Sequence, residues 1–189
     1  MTVSIDGFGA GVGTSAAHPL GRGGERLHEW LSSDAPANRA VGESTFTDAG
    51  AVVIGRSLLG VGLALWGPGD FDHLPVFVPT HRGGAPITVE GGSTFTLVTG
   101  ATDDDTTEAA VAAARTAAGD RDVVVLGGPT TLQRAIVLGL VDELRLQIAH
   151  TMLGEGERLF DGQDARLAEF TLVAEAHAPG VTHVTLVRG

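Results

Sequence analysis

Asp122-Val-Val-Val-Leu-Gly-Gly-Pro-Thr-Thr-Leu-Gln-Arg-Ala-Ile-Val-Leu-Gly-Leu140 is the stretch whose reading decides the fold. Val123 to Leu126 form an unbroken apolar run bounded by turn residues, the pattern of a strand covered on both faces, most often in a parallel sheet. A helix is expected at once. Pro129 suits its first position, and Leu132, Ala135, Ile136 and Leu140 draw one apolar stripe along it. Gly127 and Gly128 fill the turn, where a missing Cβ lets a ligand approach the backbone, and Thr130 and Thr131 add hydroxyls at the helix N-terminus. Free amides and the positive end of the helix dipole favour an anion there, commonly a phosphate. The same spacing equally suits a tight connection with no ligand. It is neither the Gly-x-Gly-x-x-Gly fingerprint nor a P-loop.

Outward from this stretch the arrangement recurs. Ala51 to Ile54 reads as a second buried strand, ending in Gly55-Arg56-Ser57 before a helical segment, Leu58 to Leu65. Val76 to Val78 reads as a third, closed by Pro79 and followed by Thr80-His81-Arg82-Gly83-Gly84. Three strands thus end in loops suited to an anion. Thr94 to Val98 alternates as a strand with one wetter face, and Thr106 to Ala118 is an Ala-rich helix with Gly119 past its end. Asp103, Asp104 and Asp105 sit at that helix's positive end, which explains them without a metal. Leu144, Leu146 and Ile148 alternate as a strand, and Phe170 to Val173 and Val181 to Val187 form a terminal hairpin around Ala178-Pro179-Gly180.

Toward the N-terminus, Val3 and Ile5 alternate with Ser4 and Asp6 in a short strand that dissolves into Gly7, Gly9, Gly11 and Gly13. This loop continues through Gly24, and its length in a compact domain marks it as either functional, as a lid over a ligand, or disordered. Glu25 to Leu31 reads as a short helix, Ser32 to Ala40 as a linker or exposed turn, and Thr45 to Gly50 as either a helix extension or a cap on the next strand. Strand and helix alternate in the middle and antiparallel-looking strands close the chain. That order predicts one three-layer α/β domain spanning residues 1–189, with ligands at the carboxyl ends of the parallel strands.

Composition narrows the function. At 189 residues and 43% hydrophobic content the chain has ample material for a core. Its formal charge of -11, from 12 Lys and Arg against 23 Asp and Glu, cannot build a broad basic face, so nucleic acid and anionic membrane surfaces are not expected partners. The absence of Cys excludes disulfides, thiolate catalysis and Cys-bound zinc, and fits a reducing cytoplasm. No basic n-region precedes Arg22, and the longest apolar stretch, Ala49 to Gly67, carries Arg56 and is too Gly-rich for a membrane span. The seven His include no His-x-His or His-x3-His pair, and His177 and His183 lie about 20 Å apart in extended chain, so surface or strand-face His are expected and no metal site. Ser57 and Ser93 lack a nucleophile elbow, and Trp30 and Trp66 read as core or pocket wall.

Ser4-Ile5-Asp6-Gly7-Phe8, Val53-Ile54-Gly55-Arg56, Val125-Leu126-Gly127-Gly128, Gly139-Leu140-Val141-Asp142-Glu143-Leu144 and Leu153-Gly154-Glu155-Gly156-Glu157-Arg158-Leu159-Phe160 stand in the order seen in the dihydrofolate reductase-like superfamily. The chain resembles most the reductase domain of bacterial riboflavin biosynthesis and its single-domain relatives. That resemblance implies a central mixed, mostly parallel sheet of about eight strands flanked by helices, NADPH across the strand ends and a homodimer joined through terminal strands. It implies that Gly127 and Gly128, often joined by a cis peptide, and Pro129, Thr130, Thr131 and Leu132 face the cofactor pyrophosphate. Gly55, Arg56 and Ser57 would meet cofactor phosphate too. Thr80, His81 and Arg82 would lie near the adenosine ribose, with Arg82 favouring a 2′-phosphate, hence NADP over NAD.

The Gly-rich opening would cover nicotinamide and substrate. The candidate acids there are Asp6 and Glu25, with Glu29 behind them, and the plain alternative for Asp6 is a turn former before Gly7. The riboflavin-pathway reductases carry a Lys a few residues upstream of Ser-x-Asp-Gly, and Met1 to Val3 contain none. The expected activity is reduction of a C=N or C=O bond in a small heterocyclic or carbonyl substrate. The other reading is a non-catalytic nucleotide-binding or interaction protein that retains the fold.

Overall fold

A computed structural model describes residues 1–63, 71, 73–90, 92–161 and 165–189. Trp66 and the end of the Leu58 to Leu65 segment lie outside these. In chain order the elements are β1 (Thr2–Ser4), β2 (Phe8–Ala10), a 3-10 helix (Gly24–Ser32), α1 (Pro36–Ser44), β3 (Ala49–Ile54), α2 (Arg56–Gly62), β4 (Val76–Pro79), β5 (Ile87–Thr88), β6 (Thr94–Val98), α3 (Asp103–Ala118), β7 (Asp122–Gly127), α4 (Pro129–Val137), β8 (Glu143–Ala149), β9 (Glu157–Arg158), a second 3-10 helix (Ala165–Glu169), β10 (Phe170–Ala178) and β11 (Val181–Arg188). The chain divides into two compact units, Glu43–Arg134 and a unit built from Met1–Gly42 and Ala135–Gly189. None of the described helices is long and apolar enough to cross a membrane.

Glu43–Arg134 is built on a five-stranded sheet, order β5-β6-β4-β3-β7, parallel except for the β5–β6 pair. Every residue of β3 is buried, because it lies between β4 and β7 with apolar side chains on both faces. Val123 to Leu126 in β7 are only half-buried at the end of the sheet, so the strand covered on both faces is β3 rather than β7. Ile54, Leu59, Val76, Val78, Phe71 and Phe95 form the core, with the Phe71 and Phe95 rings edge to face at 5.5 Å. Helix α3 packs on this sheet through Ala110, Val111, Ala114 and Ala118. The small residues have a direct use. A Cβ at Gly50 would come within 2.7 Å of the Ala118 Cα, so helix and strand touch backbone to backbone. The helix starts with a capping box, Thr102 Oγ1 accepting the Asp105 N–H at 3.1 Å and Asp105 accepting the Thr102 N–H at 3.0 Å.

The other unit carries a four-stranded sheet, order β1-β8-β11-β10, with β1 parallel to β8 and the remaining pairs antiparallel. A two-stranded pair, β2 and β9, lies in the same unit. The first 3-10 helix packs against β1, β2 and β8, and Leu27 and Trp30 bury against Ala149 and Val181. Where the sequence suggests a linker over Ser32 to Ala40, the chain forms α1, with Pro36 at its first position. Its polar Asn38 is buried for a reason: Nδ2 donates to the Trp30 carbonyl at 2.9 Å and Oδ1 lies 2.8 Å from His183 Nε2. His183 is thus a buried His, 7% exposed, rather than a surface one, while His150 and His177 share the Thr182 hydroxyl at 2.9 and 3.1 Å. The hairpin of β10 and β11 turns at Pro179-Gly180 and has an irregularity at Val173, and β10 is exposed along nearly its whole length.

Candidate cofactor-binding edge

Parallel strands β4, β3 and β7 are neighbours, so the loops that follow them emerge side by side at one edge of the five-stranded sheet. The Gly55 N–H donates to the Gly127 carbonyl at 2.9 Å and draws the loops after β3 and β7 together. A Cβ on Gly55 would lie 2.8 Å from Thr131 Oγ1, and one on Gly128, which has φ 79°, would lie 3.3 Å from the Gly55 Cα. Both glycines are therefore required by the protein's own loop-to-loop packing, beyond any need to admit a ligand. The peptide bond between Gly127 and Gly128 is trans, as are all those among the described residues; the positive φ of Gly128 makes the turn that the resemblance associates with a cis bond.

Helix α4 then begins at Pro129. Its first bond out of the turn runs from the Leu132 N–H to the Gly128 carbonyl at 3.1 Å, and the N–H groups of Thr130 and Thr131 have no acceptor among the described residues. Arg56 opens α2, exposed beside Ser57, and its guanidinium forms no ion pair or hydrogen bond among the described residues. Thr80 is buried and locks the loop after β4: its N–H donates to the Val98 carbonyl at 2.9 Å and its Oγ1 accepts the Arg82 N–H at 3.2 Å. That leaves the Arg82 side chain exposed and without a partner among the described residues.

His81 is engaged differently. Its Nε2 lies 2.6 Å from Asp103 Oδ1, and Arg134 bonds the other Asp103 oxygen at 2.5 Å and reaches Asp104 at 3.4 Å. One carboxylate at the start of α3 thus joins the loop after β4 to α4. Charge at a helix end therefore explains the Asp run only in part, because Arg134 pairs with it as well. The sequence signal for Arg134 was its place four residues after Thr130, on the same face of α4. Two unpaired guanidinium groups, two free amides and the Thr hydroxyls at the carboxyl ends of adjacent parallel strands fit the phosphates of a dinucleotide.

In the other unit, Asp6 does not stand free. Its Oδ1 accepts the Leu153 N–H at 3.1 Å and its Oδ2 the Gly154 N–H at 2.7 Å, while Arg158 donates to its carbonyl at 2.8 Å and lays its guanidinium 4.2 Å from the Phe8 ring centroid. Burial pushes the Asp6 pKa up, but hydrogen bonds from the Ser4 hydroxyl, the Gly154 and Leu153 amides and its own amide outweigh it and bring the value to about 2. An ionised carboxylate is no proton donor at neutral pH. Arg26 Nη1 donates to the Met152 carbonyl at 3.1 Å, tying the first 3-10 helix to the same Thr151–Arg158 loop. Glu25 and Glu29 are exposed on that helix, and neither carboxylate has a bonding partner among the described residues.

The protein-family model for the RibD C-terminal domain matches residues 1–181. No curated protein matches the chain. Among solved structures, a protein of Shewanella sp. PV-4 assigned to riboflavin biosynthesis superposes with a TM-score of 0.70 at 22% identity, covering 99% of this chain and 95% of that one. The diaminohydroxyphosphoribosylaminopyrimidine deaminase/5-amino-6-(5-phosphoribosylamino)uracil reductase of Thermotoga maritima gives 0.63 at 14% identity; the match covers 98% of this chain and 54% of that one, about half its length. Dihydrofolate reductase from Enterococcus faecalis, complexed with NADP(H), gives 0.53 at 16% identity over 80% of each chain. At these identities the structures establish the fold, and the family model establishes the family. The chain belongs to the RibD C-terminal domain family, a reductase family of the riboflavin pathway with the dihydrofolate reductase-like α/β fold.

Proposed function

We propose that this protein is an NADPH-dependent reductase of a small heterocyclic or carbonyl substrate, riboflavin-pathway pyrimidine reductase-like or pterin reductase-like. The observation that carries the reading is the pair of guanidinium groups, Arg56 and Arg82, and the Thr130 and Thr131 amides, all without a partner among the described residues, at the ends of adjacent parallel strands. When bound, the cofactor supplies a hydride for a C=N or C=O bond. Arg56 and the two amides hold its pyrophosphate, and Arg82 takes the 2′-phosphate. Thr80 keeps the Arg82 backbone in place through the 3.2 Å bond. Asp6, ionised and bonded to Leu153 and Gly154, orders the Thr151–Arg158 loop of its own unit, and Glu25 is the second candidate acid, exposed and without a bonding partner among the described residues.

The commitment of Asp6 to backbone amides also favours a second reading, a nucleotide-binding protein that keeps the fold without catalysis. The two are separated by following NADPH absorbance with a panel of pterins, pyrimidines and aldehydes. Oxidation dependent on one of them supports the reductase, and NADPH binding with no turnover across the panel supports the alternative. Two copies of the chain are further proposed to pair through β10, whose outer edge has no strand partner among the described residues and which exposes Leu172 and Val173.

A further inference from the structure

The Asp103 carboxylate is the point where two segments assigned to the cofactor meet. Its Oδ1 lies 2.6 Å from Nε2 of His81, the residue before Arg82 in the loop after β4, and its Oδ2 lies 2.5 Å from Arg134 Nη1 on α4. These residues all belong to one unit, Glu43–Arg134. The backbone beneath the carboxylate is fixed. The Thr102–Asp105 capping box closes the first turn of α3, and the Thr107 hydroxyl donates to the Asp103 carbonyl at 3.0 Å. Arg134 is held as well, its side chain only 28% exposed and reaching Asp104 at 3.4 Å. The loop carrying Arg82 is the looser partner. Thr80 bonds the Arg82 N–H on one side, but on the other Gly83 and Gly84 are exposed, offer no side chain and make no hydrogen bond among the described residues. The His81–Asp103 contact ties this segment to the start of α3. By charge alone the arrangement is adverse, since an acid beside a phosphate site repels the phosphate. Helix-end charge accounts for Asp104 as well as for Asp103, but only Asp103 reaches His81.

We propose that Asp103 is a positioning residue for NADPH: through His81 it sets the loop that presents Arg82 to the 2′-phosphate, and it favours NADPH over NADH without touching the cofactor. The assignment rests on the cofactor reading given above for Arg56 and Arg82. An ion pair between side chains 72% and 45% exposed adds little to stability, so its effect falls on where Arg82 stands rather than on whether the unit folds. Holding a binding group in place before the ligand arrives removes an ordering cost from association, and that gain offsets the repulsion.

The test measures NADPH and NADH affinities by fluorescence titration for wild type, Arg82→Ala, Asp103→Asn, Asp104→Asn, His81→Ala and the Asp103→Asn/His81→Ala double variant. Removal of a repulsive charge alone would tighten NADPH in both Asn variants. The expected result for Asp103→Asn is the opposite, NADPH weaker by about fivefold or more and NADH changed by no more than about twofold. Asp104→Asn makes the same charge change next door, without a bond to His81, and should leave NADPH unchanged or tighter. Retained NADH binding reports that each variant is folded. The double variant should bind NADPH no more weakly than the weaker single variant, because both substitutions break one contact. Additive losses would mean that His81 meets the phosphate itself, and equal losses in the two Asn variants would mean a shared helix-end effect; either overturns the assignment. If wild type binds no NADPH, or Arg82→Ala leaves NADPH binding intact, the cofactor reading falls and this assignment with it. If Arg82→Ala weakens NADPH and Asp103→Asn does not, this assignment alone falls.

Discussion

Asp6 Oδ2 accepts the Gly154 N–H at 2.7 Å across 148 residues of sequence, while its other oxygen takes the Leu153 N–H. Both oxygens face donors. Asp6→Asn therefore places an amide NH2 against an N–H whichever way it flips, and the expected cost is about 1–2 kcal/mol in urea unfolding at pH 7. The sign with pH follows from the depressed pKa of about 2. Its stabilisation is complete above the unfolded carboxylate pKa of about 4 and is lost as pH falls through about 2. The stability gap between wild type and Asp6→Asn should be constant above about pH 5 and close below about pH 4. Faster hydrogen exchange at Leu153 and Gly154 should accompany the substitution, and unchanged exchange there would refute the stabilising role of these two bonds.

His183 provides a second pH signature. Because Asn38 Nδ2 donates to the Trp30 carbonyl, Asn38 presents its oxygen, so His183 Nε2 carries the proton and Nδ1 is left bare and unpartnered. Protonation would bury an N–H without an acceptor, and burial accordingly lowers the His183 pKa. A lowered His pKa gives stability that is full above the unfolded value of about 6.5 and falls as pH drops below it. Wild type should lose more stability than His183→Gln between neutral and mildly acidic pH. Nitrogen chemical shifts placing the proton on Nδ1 at neutral pH would contradict the assignment.

Gly128, at the loop contact, and Gly23, away from it, separate crowding from strain. Gly128 and Gly23 have similar φ, 79° and 72°, but a Cβ at Gly23 meets nothing within 4 Å whereas one at Gly128 presses on Gly55. Gly23→Ala should cost about 1–2 kcal/mol, the left-handed penalty alone, and Gly128→Ala more than that. Equal losses in parallel unfolding curves would mean that the contact between the loops after β3 and β7 carries no energy.

Which of these features the sequence announces depends on the range of the interaction. The β7–α4 stretch was legible because its apolar run, its glycines and its Pro129 act within a few residues, and the structure forms both elements there. The depth of burial was not, since it depends on neighbours: β3 lies inside its sheet and β7 at the end. Strands β2 and β9, of three and two residues, are too short to show a period, and α1 hid behind Pro36 and a polar Asn38 whose burial depends on Trp30 and His183. At the candidate site the Gly and Arg positions were visible. The Asp103 link between His81 and Arg134 and the fastening of Asp6 to Gly154 join residues far apart in the chain, and no local pattern marks them.

The exposed edge of β10 should mediate self-association. Val173 sits at the irregularity of the strand with its side chain 59% exposed, and a charge there opposes burial against a second copy. Light scattering at micromolar concentration should give a dimer for wild type and a shift to monomer for Val173→Asp. A monomeric wild type would remove β10 as an interface.

Fluorescence titration with NADPH and NADH tests the central claim most directly. Wild type should bind NADPH saturably and more tightly than NADH. Arg56→Ala should weaken both by about tenfold or more, as expected for loss of a charge-assisted phosphate contact, while Arg82→Ala should weaken NADPH alone. No saturable NADPH binding by wild type, or binding indifferent to Arg56→Ala, would contradict the account.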